Sequence, residues 1–191
     1  MRKICLVLLL FFFSFLSFAE GKVRWYQTQI DSGYDGNCGP ASVAMAVSWF
    51  RDKIVEVQIV RDIIGIPYKD GAVGIPHLIE ALKALRVRHE RKFIRNIQEI
   101  DEALDNGSIV IILYNPRFIP KAESEDALIG RGYSYLIDGG HYSVIYDRYE
   151  DYFVVNDPYI DGEGRLYKKE AVINSLLTLD SIIVKRKEDW R

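Results

Sequence analysis

Gly36-Asn37-Cys38-Gly39-Pro40-Ala41-Ser42-Val43-Ala44-Met45 is the stretch on which the fold turns. Ser32-Gly33-Tyr34-Asp35 leads into it as a turn, and no charged residue follows until Arg51. Gly and Asn tolerate the left-handed backbone of a tight approach, and Pro40 suits a first helical turn, where an N–H has no partner to lose. The stretch predicts a helix from about Gly39 to Arg51, apolar nearly all round and therefore central to the fold. Cys38 stands at its N-terminus, where unsatisfied N–H groups and the positive end of the dipole favour thiolate. A lone cysteine is otherwise a small buried hydrophobe. A histidine distant in sequence is what would make it a nucleophile.

Upstream, Met1-Arg2-Lys3 precedes an uncharged apolar run from Ile4 to Phe18, and Ser17-Phe18-Ala19 closes it. A basic start, an apolar middle and a small-residue end predict a signal peptide cleaved after Ala19. The run is short for a membrane span, so no stable span is expected after cleavage. The expected product is one globular domain, residues 20–191, exported to the periplasm or the cell exterior. Losing Arg2 and Lys3 lowers the 25 basic residues to 23 against 27 acids, a formal charge of −4. With no basic block interleaved with aromatics, nucleic-acid binding has no electrostatic support. Cleavage would leave Cys38 the sole thiol, with no internal disulfide to form.

Val23 to Ile30 is β-rich and reads as a strand or extended arm, with Gln27 and Gln29 on one face. Downstream of the Cys helix, Val55 to Ile64 and Pro76 to Leu85 read as helices, and Arg88 to Phe93 as a short strand. Ile97 to Leu104 reads as a helix stopped at Asn106-Gly107. Ser108 to Tyr114 is continuously apolar and predicts a strand buried on both faces. Arg117 to Gly140 has no period, and a connection of that length is functional or mobile. A hairpin follows, from His141 to Asp147 and from Tyr152 to Pro158. A helix near Lys168 to Leu177 and a strand from Ser181 to Lys185 complete the chain. Helices first and mostly strands afterwards argue for an α+β fold.

Thiolate attack on an acyl group needs a base, a group that orients it, and donors for the oxyanion. His77 reads as a first-turn helix residue, and His89 lies among Arg88, Glu90 and Arg91 as a surface residue. His141 opens a β-rich run after Gly139-Gly140, which leave room for a substrate backbone or for the nucleophile's helix. It is the candidate base. Asp157 and Asn156 are rivals for orienting it, since alternation lets only one of them point at His141, and Asp147 is a third option. The Cys38 N–H and a side-chain amide, Gln29 or Gln27, are candidate oxyanion donors. No H-E-x-x-H or G-x-S-x-G is present, and the scattered His residues form no metal set at recognised spacing; no cofactor is expected.

These blocks carry a resemblance. Gln29-Ile30-Asp31, Cys38-Gly39-Pro40-Ala41-Ser42-Val43-Ala44-Met45, Gly140-His141-Tyr142-Ser143-Val144 and Val155-Asn156-Asp157-Pro158 together resemble the bacteriocin-processing (double-glycine leader) cysteine peptidases, a branch of the papain-like fold. The similarity spans about Val23 to Lys185. It implies a central Cys-bearing helix packed on an antiparallel sheet, with Cys38 as nucleophile, His141 as general base, Asp157 as its orienting group and Gln29 as oxyanion donor. It also implies a peptide or protein substrate. The chain departs from the transporter-borne members in having no G-x-x-x-x-G-K-[ST], no transporter spans and a signal peptide of its own. An amidase or acyltransferase could use the same residues. A non-cleaving papain-like module binding peptide or glycan is the other expectation. Its rim would carry Tyr133, Tyr135, Tyr142, Tyr146, Tyr149, Tyr152, Tyr159 and Tyr167, which are also ordinary strand residues.

Overall fold

The computed structural model describes residues 25–28, 35–66, 73–119, 139–159 and 162–186. The predicted leader, Gln29 and most of the long connection before Gly140 lie outside them. Helix α1 is Cys38–Arg51, entered from a 3-10 turn over Asp35–Asn37. All but two of its residues are buried, as a helix without a polar face requires. It ends where Asp52 turns left-handed (φ 53°) and returns its N–H to the Ser48 carbonyl.

Two short helices, α2 (Val57–Ile64) and α3 (Ile75–Ala84), pack beside α1. Gly65 closes α2 at φ 69°, a conformation glycine takes without strain. At the start of α3 the Gly74 N–H donates to His77 Nδ1 at 3.2 Å, so His77 is the first-turn capping residue its position implied. Then come β1 (His89–Phe93), α4 (Ile97–Asp105) and β2 (Ile109–Tyr114), followed by a 3-10 turn over Pro116–Phe118. The chain ends with β3 (His141–Tyr149), β4 (Tyr152–Asn156), β5 (Arg165–Lys168), α5 (Lys169–Ser175) and β6 (Asp180–Val184).

The six strands form one antiparallel sheet in the order β1-β6-β2-β3-β4-β5. Helices α1 to α3 cover one face through Ile109, Ile111, Tyr142, Val144 and Ile182. Helices α4 and α5 cover the other through Val110, Ile112, Tyr114, Ile145, Phe153 and Tyr167. Alternation along β2 thus buries both faces, as its continuous apolar run requires. The architecture is α+β with the expected Cys helix against an antiparallel sheet.

Of the strand or extended arm expected over Val23 to Ile30, the described residues 26–28 form the arm, with no regular element. Gln27 ties this arm down, its amide donating to the Val55 carbonyl at 2.9 Å and to Ser48 Oγ at 3.4 Å. One expectation is corrected: Arg165–Lys168 pairs with β4 as a strand, so the last helix starts at Lys169 and ends at Ser175. Four residues of mixed polarity give too short a period to separate a strand from a helix start.

Candidate active site

Helix α1 meets the sheet at the first residues of β3. A Cβ on Gly39 would come within 2.8 Å of Val73, 3.1 Å of Leu78 and 3.2 Å of Tyr142, so only glycine lets α1 approach this closely. That approach sets the Cys38 sulfur against His141 and within reach of the Tyr142 backbone N–H. On β3, Tyr142 and Val144 pack under α1, while His141 lies on the opposite side with Tyr114, its pairing partner on β2. The same alternation along β4 sends Phe153, Val155 and then Asp157 to that side and Asn156 away from it.

Asp157 is the residue that meets His141. His141 Nε2 lies 2.8 Å from Asp157 Oδ1, which leaves Nδ1 for the Cys38 sulfur. Asn156 accepts the Gly164 N–H at 3.0 Å, and Asp147 accepts the Arg148 N–H at 2.9 Å. Register thus settles which of the three reaches the imidazole. Gln27, held on Val55 and Ser48, is removed as an oxyanion donor; Gln29 lies outside the described residues. His89 is half-buried, with its Nδ1 2.8 Å from the Val87 carbonyl. The residues that crowd the backbone just before His141 come from β2 and from the chain after α5, not from α1. A Cβ on Gly140 would meet Leu113 at 3.0 Å and Leu177 at 3.2 Å.

The electrostatics follow from burial and partners. Burial opposes charge on His141, yet the Asp157 carboxylate, its hydrogen bond and the Cys38 sulfur together push the imidazole up to about 10. Burial likewise opposes a Cys38 thiolate. The His141 hydrogen bond and charge outweigh it, with backbone N–H groups of Tyr142 and Gly39 adding to them, and the thiol falls below its ordinary value. Cys38 retains 8 % of its surface exposure and Asp157 none. Both shifts favour an ion pair of thiolate and imidazolium, backed by a carboxylate closed off from water.

Sequence reasoning passed over what holds that carboxylate. Tyr114 Oη donates to Asp157 Oδ2 at 2.9 Å, Tyr167 Oη to the same oxygen at 2.7 Å, and the Tyr159 N–H to Oδ1 at 3.0 Å. Tyr114 offered a signal: a tyrosine ending a strand buried on both faces must find a partner for its hydroxyl. Tyr167 offered none, because β5 itself was not foreseen. Of the tyrosines assigned to a rim, Tyr142, Tyr146 and Tyr167 are buried, Tyr149 is exposed, and Tyr133 and Tyr135 lie outside the described residues. An open hollow of about 390 Å³ lined by Arg88, Glu90, Lys92, Glu102 and Lys185 shares no residue with this cluster. Among the described residues, no three His, Cys, Asp or Glu side chains gather into a metal-ligand set, and no helix is long and apolar enough to cross a membrane.

A papain-like α+β fold with a cysteine, a histidine and an aspartate in contact at the helix–sheet junction defines a cysteine peptidase-type domain. The chain belongs to the Peptidase_C39-like family, whose model matches residues 23–179. Solved structures with the same fold include a putative C39-like peptidase from Bacillus anthracis. It is 16% identical, with a TM-score of 0.63, and the match covers 88% of this chain and 96% of that one. The peptidase domain of Streptococcus ComA, a bi-functional ABC transporter involved in quorum sensing, is 16% identical with a TM-score of 0.59, covering 86% of this chain and 100% of that one. A double-glycine-motif protease from an AMS/PCAT transporter, solved in complex with its leader peptide, is 17% identical with a TM-score of 0.58, covering 88% and 96%. No curated protein sequence matches the chain.

Proposed function

We propose that this domain is an active peptidase that cleaves a peptide bond through a Cys38 thioester, and that it works outside the cytoplasm after loss of residues 1–19. One observation carries the reading: His141 bridges the buried Asp157 and the Cys38 sulfur, with the imidazole pushed up to about 10 and the thiol below its ordinary value.

In this mechanism the Cys38 thiolate attacks the scissile carbonyl carbon, forming a C–S bond and pushing the carbonyl electrons onto oxygen. The Cys38 backbone N–H and the Gln29 side-chain amide stabilise that oxyanion. The oxyanion collapses, the C–N bond breaks, and the His141 imidazolium gives its proton to the leaving amine. Neutral His141 then takes a proton from water, whose oxygen attacks the thioester carbon. The C–S bond breaks and the ion pair is restored. Asp157 keeps its proton-free form throughout, holding Nε2–H so that Nδ1 faces the sulfur.

The basic, apolar, alanine-ending leader supports export. The leader-peptide complex of the AMS/PCAT relative supports a peptide substrate. Incubating the mature chain with peptide libraries tests the assignment. Wild type should cut a subset and Cys38→Ala none; equal turnover by both would end the nucleophile reading. Iodoacetamide should also label Cys38 at mildly acidic pH, faster than a free thiol, and His141→Ala should remove that excess.

A further inference from the structure

The Asp157 carboxylate is enclosed by polar groups from four directions, and of these only His141 has a role in the mechanism above. His141 on β3 and the Tyr159 N–H occupy Oδ1, while the hydroxyls of Tyr114 on β2 and Tyr167 on β5 converge on Oδ2. The two tyrosine rings stand edge to face, with centroids 6.2 Å apart. Tyr114 Oη also lies 3.1 Å from Ser143 Oγ. With Tyr114 Oη donating to Asp157, Ser143 Oγ is placed to donate to Tyr114 in turn. Arg165 on β5 is the cation felt at Tyr167, and Cys38 faces His141 from α1.

We propose that Tyr114 and Tyr167 are positioning residues for the reaction proposed above: together they hold Asp157 ionised and turned so that Oδ1 alone meets His141. A buried carboxylate with an empty oxygen would take a proton or rotate, since hydrogen bonds donated to the charged form are what stabilise it. Two phenol donors suit this task. They are rigid, they bring no positive charge that would compete with His141, and burial raises the Tyr167 hydroxyl well above its ordinary range, so it remains a donor at any working pH. The inference rests on the peptidase reading for its purpose, but its geometry does not involve Cys38.

The test uses the full mature chain labelled with 13C at the aspartate side-chain carboxyl carbon, Cγ. The Asp157 resonance, identified by its loss in Asp157→Asn, is titrated in wild type, Tyr114→Phe, Tyr167→Phe and the double variant. Each substitution removes only an oxygen, and the single variants keep one donor should the double variant fail to fold. The titration midpoint should climb in each single variant and by about one pH unit in the double, a tenfold change in proton affinity. The low-field His141 Nε2 proton should weaken in parallel. A midpoint that stays at its wild-type value while thermal stability falls overturns the proposal, because the hydroxyls would then only fill space. Wild-type Cys38 alkylation, measured separately, tests the peptidase reading: an ordinary thiol with an Asp157 midpoint that still responds to Tyr→Phe would sink the reaction and leave the clamp.

Discussion

Gly162 lies so close to Asp157 that a Cβ placed on it would fall 1.8 Å from the Asp157 carbonyl oxygen. The two residues also close a turn, the Asp157 N–H donating to the Gly162 carbonyl at 2.8 Å. From outside, the Tyr26 hydroxyl accepts the Gly162 N–H at 3.0 Å and donates to the Tyr159 carbonyl. The residue that orients His141 is thus fixed by a turn that tolerates no side chain at its far end and by an arm from the start of the domain.

Replacing Gly162 with Ala must push this turn apart. The expected cost is about 1–3 kcal/mol of stability, the range for an overpacked site. Acyl transfer should fall further than stability alone predicts, because Asp157 moves with the turn. Urea unfolding together with peptide turnover checks both. Tyr26→Phe should show the same pattern in milder form.

Asp157 and Asn156 differ by one position and by everything that follows from strand alternation. Asp157→Asn should slow acyl transfer by about three to four orders of magnitude, as loss of an orienting carboxylate does in other nucleophile–histidine systems. Asn156→Ala loses its bond to the Gly164 N–H and should cost about 1 kcal/mol, leaving the chemistry nearly intact. Single-turnover kinetics on the two variants separates the roles.

The two upstream glutamines should part in the same way. Gln27→Ala frees the Val55 carbonyl and should lower stability by about 1 kcal/mol with little change in turnover per folded molecule. Gln29→Ala, as loss of the proposed oxyanion donor, should lower turnover about a hundredfold or more.

The charge on His141 ties stability to pH with a definite sign. Its folded value, about 10, lies above the ordinary value of 6.5, so its contribution is complete below about pH 6.5 and is lost as pH rises towards 10. Between those limits wild type should lose stability relative to His141→Ala, which lacks the charge. Unfolding curves across that range, taken as differences between the two proteins, measure it.

Much of this was legible in the chain before any coordinates. The Gly36–Met45 stretch has no charge and no polar face, so its central burial follows from composition alone. The Ile109–Tyr114 run is apolar at every step, and a strand of that kind can only lie inside a covered sheet. The order of Cys38 and His141 supplied the nucleophile and the base. The residues alone left Asp157 and Asn156 open, and only the family resemblance implied Asp157, because the choice depends on which face β4 turns to β3, and a register shift between Ile145 and Asp147 intervenes. The Tyr114 and Tyr167 hydroxyls were hidden for a related reason. Tyr114 reaches past β3 and Tyr167 comes from the strand beyond β4, and no local spacing encodes contacts of that kind. Gln27 could not be told from Gln29 because the side-chain bonds that hold the arm, to Val55 and Ser48, have no local pattern.

The measurement closest to the central claim is the ionisation of His141 itself, followed by 15N NMR of its imidazole from pH 5 to 11. Both ring nitrogens should stay protonated through pH 8, with loss of the proton near 10. A ring that titrates near 6.5 would contradict it, since no imidazolium would then stand beside Cys38 at neutral pH.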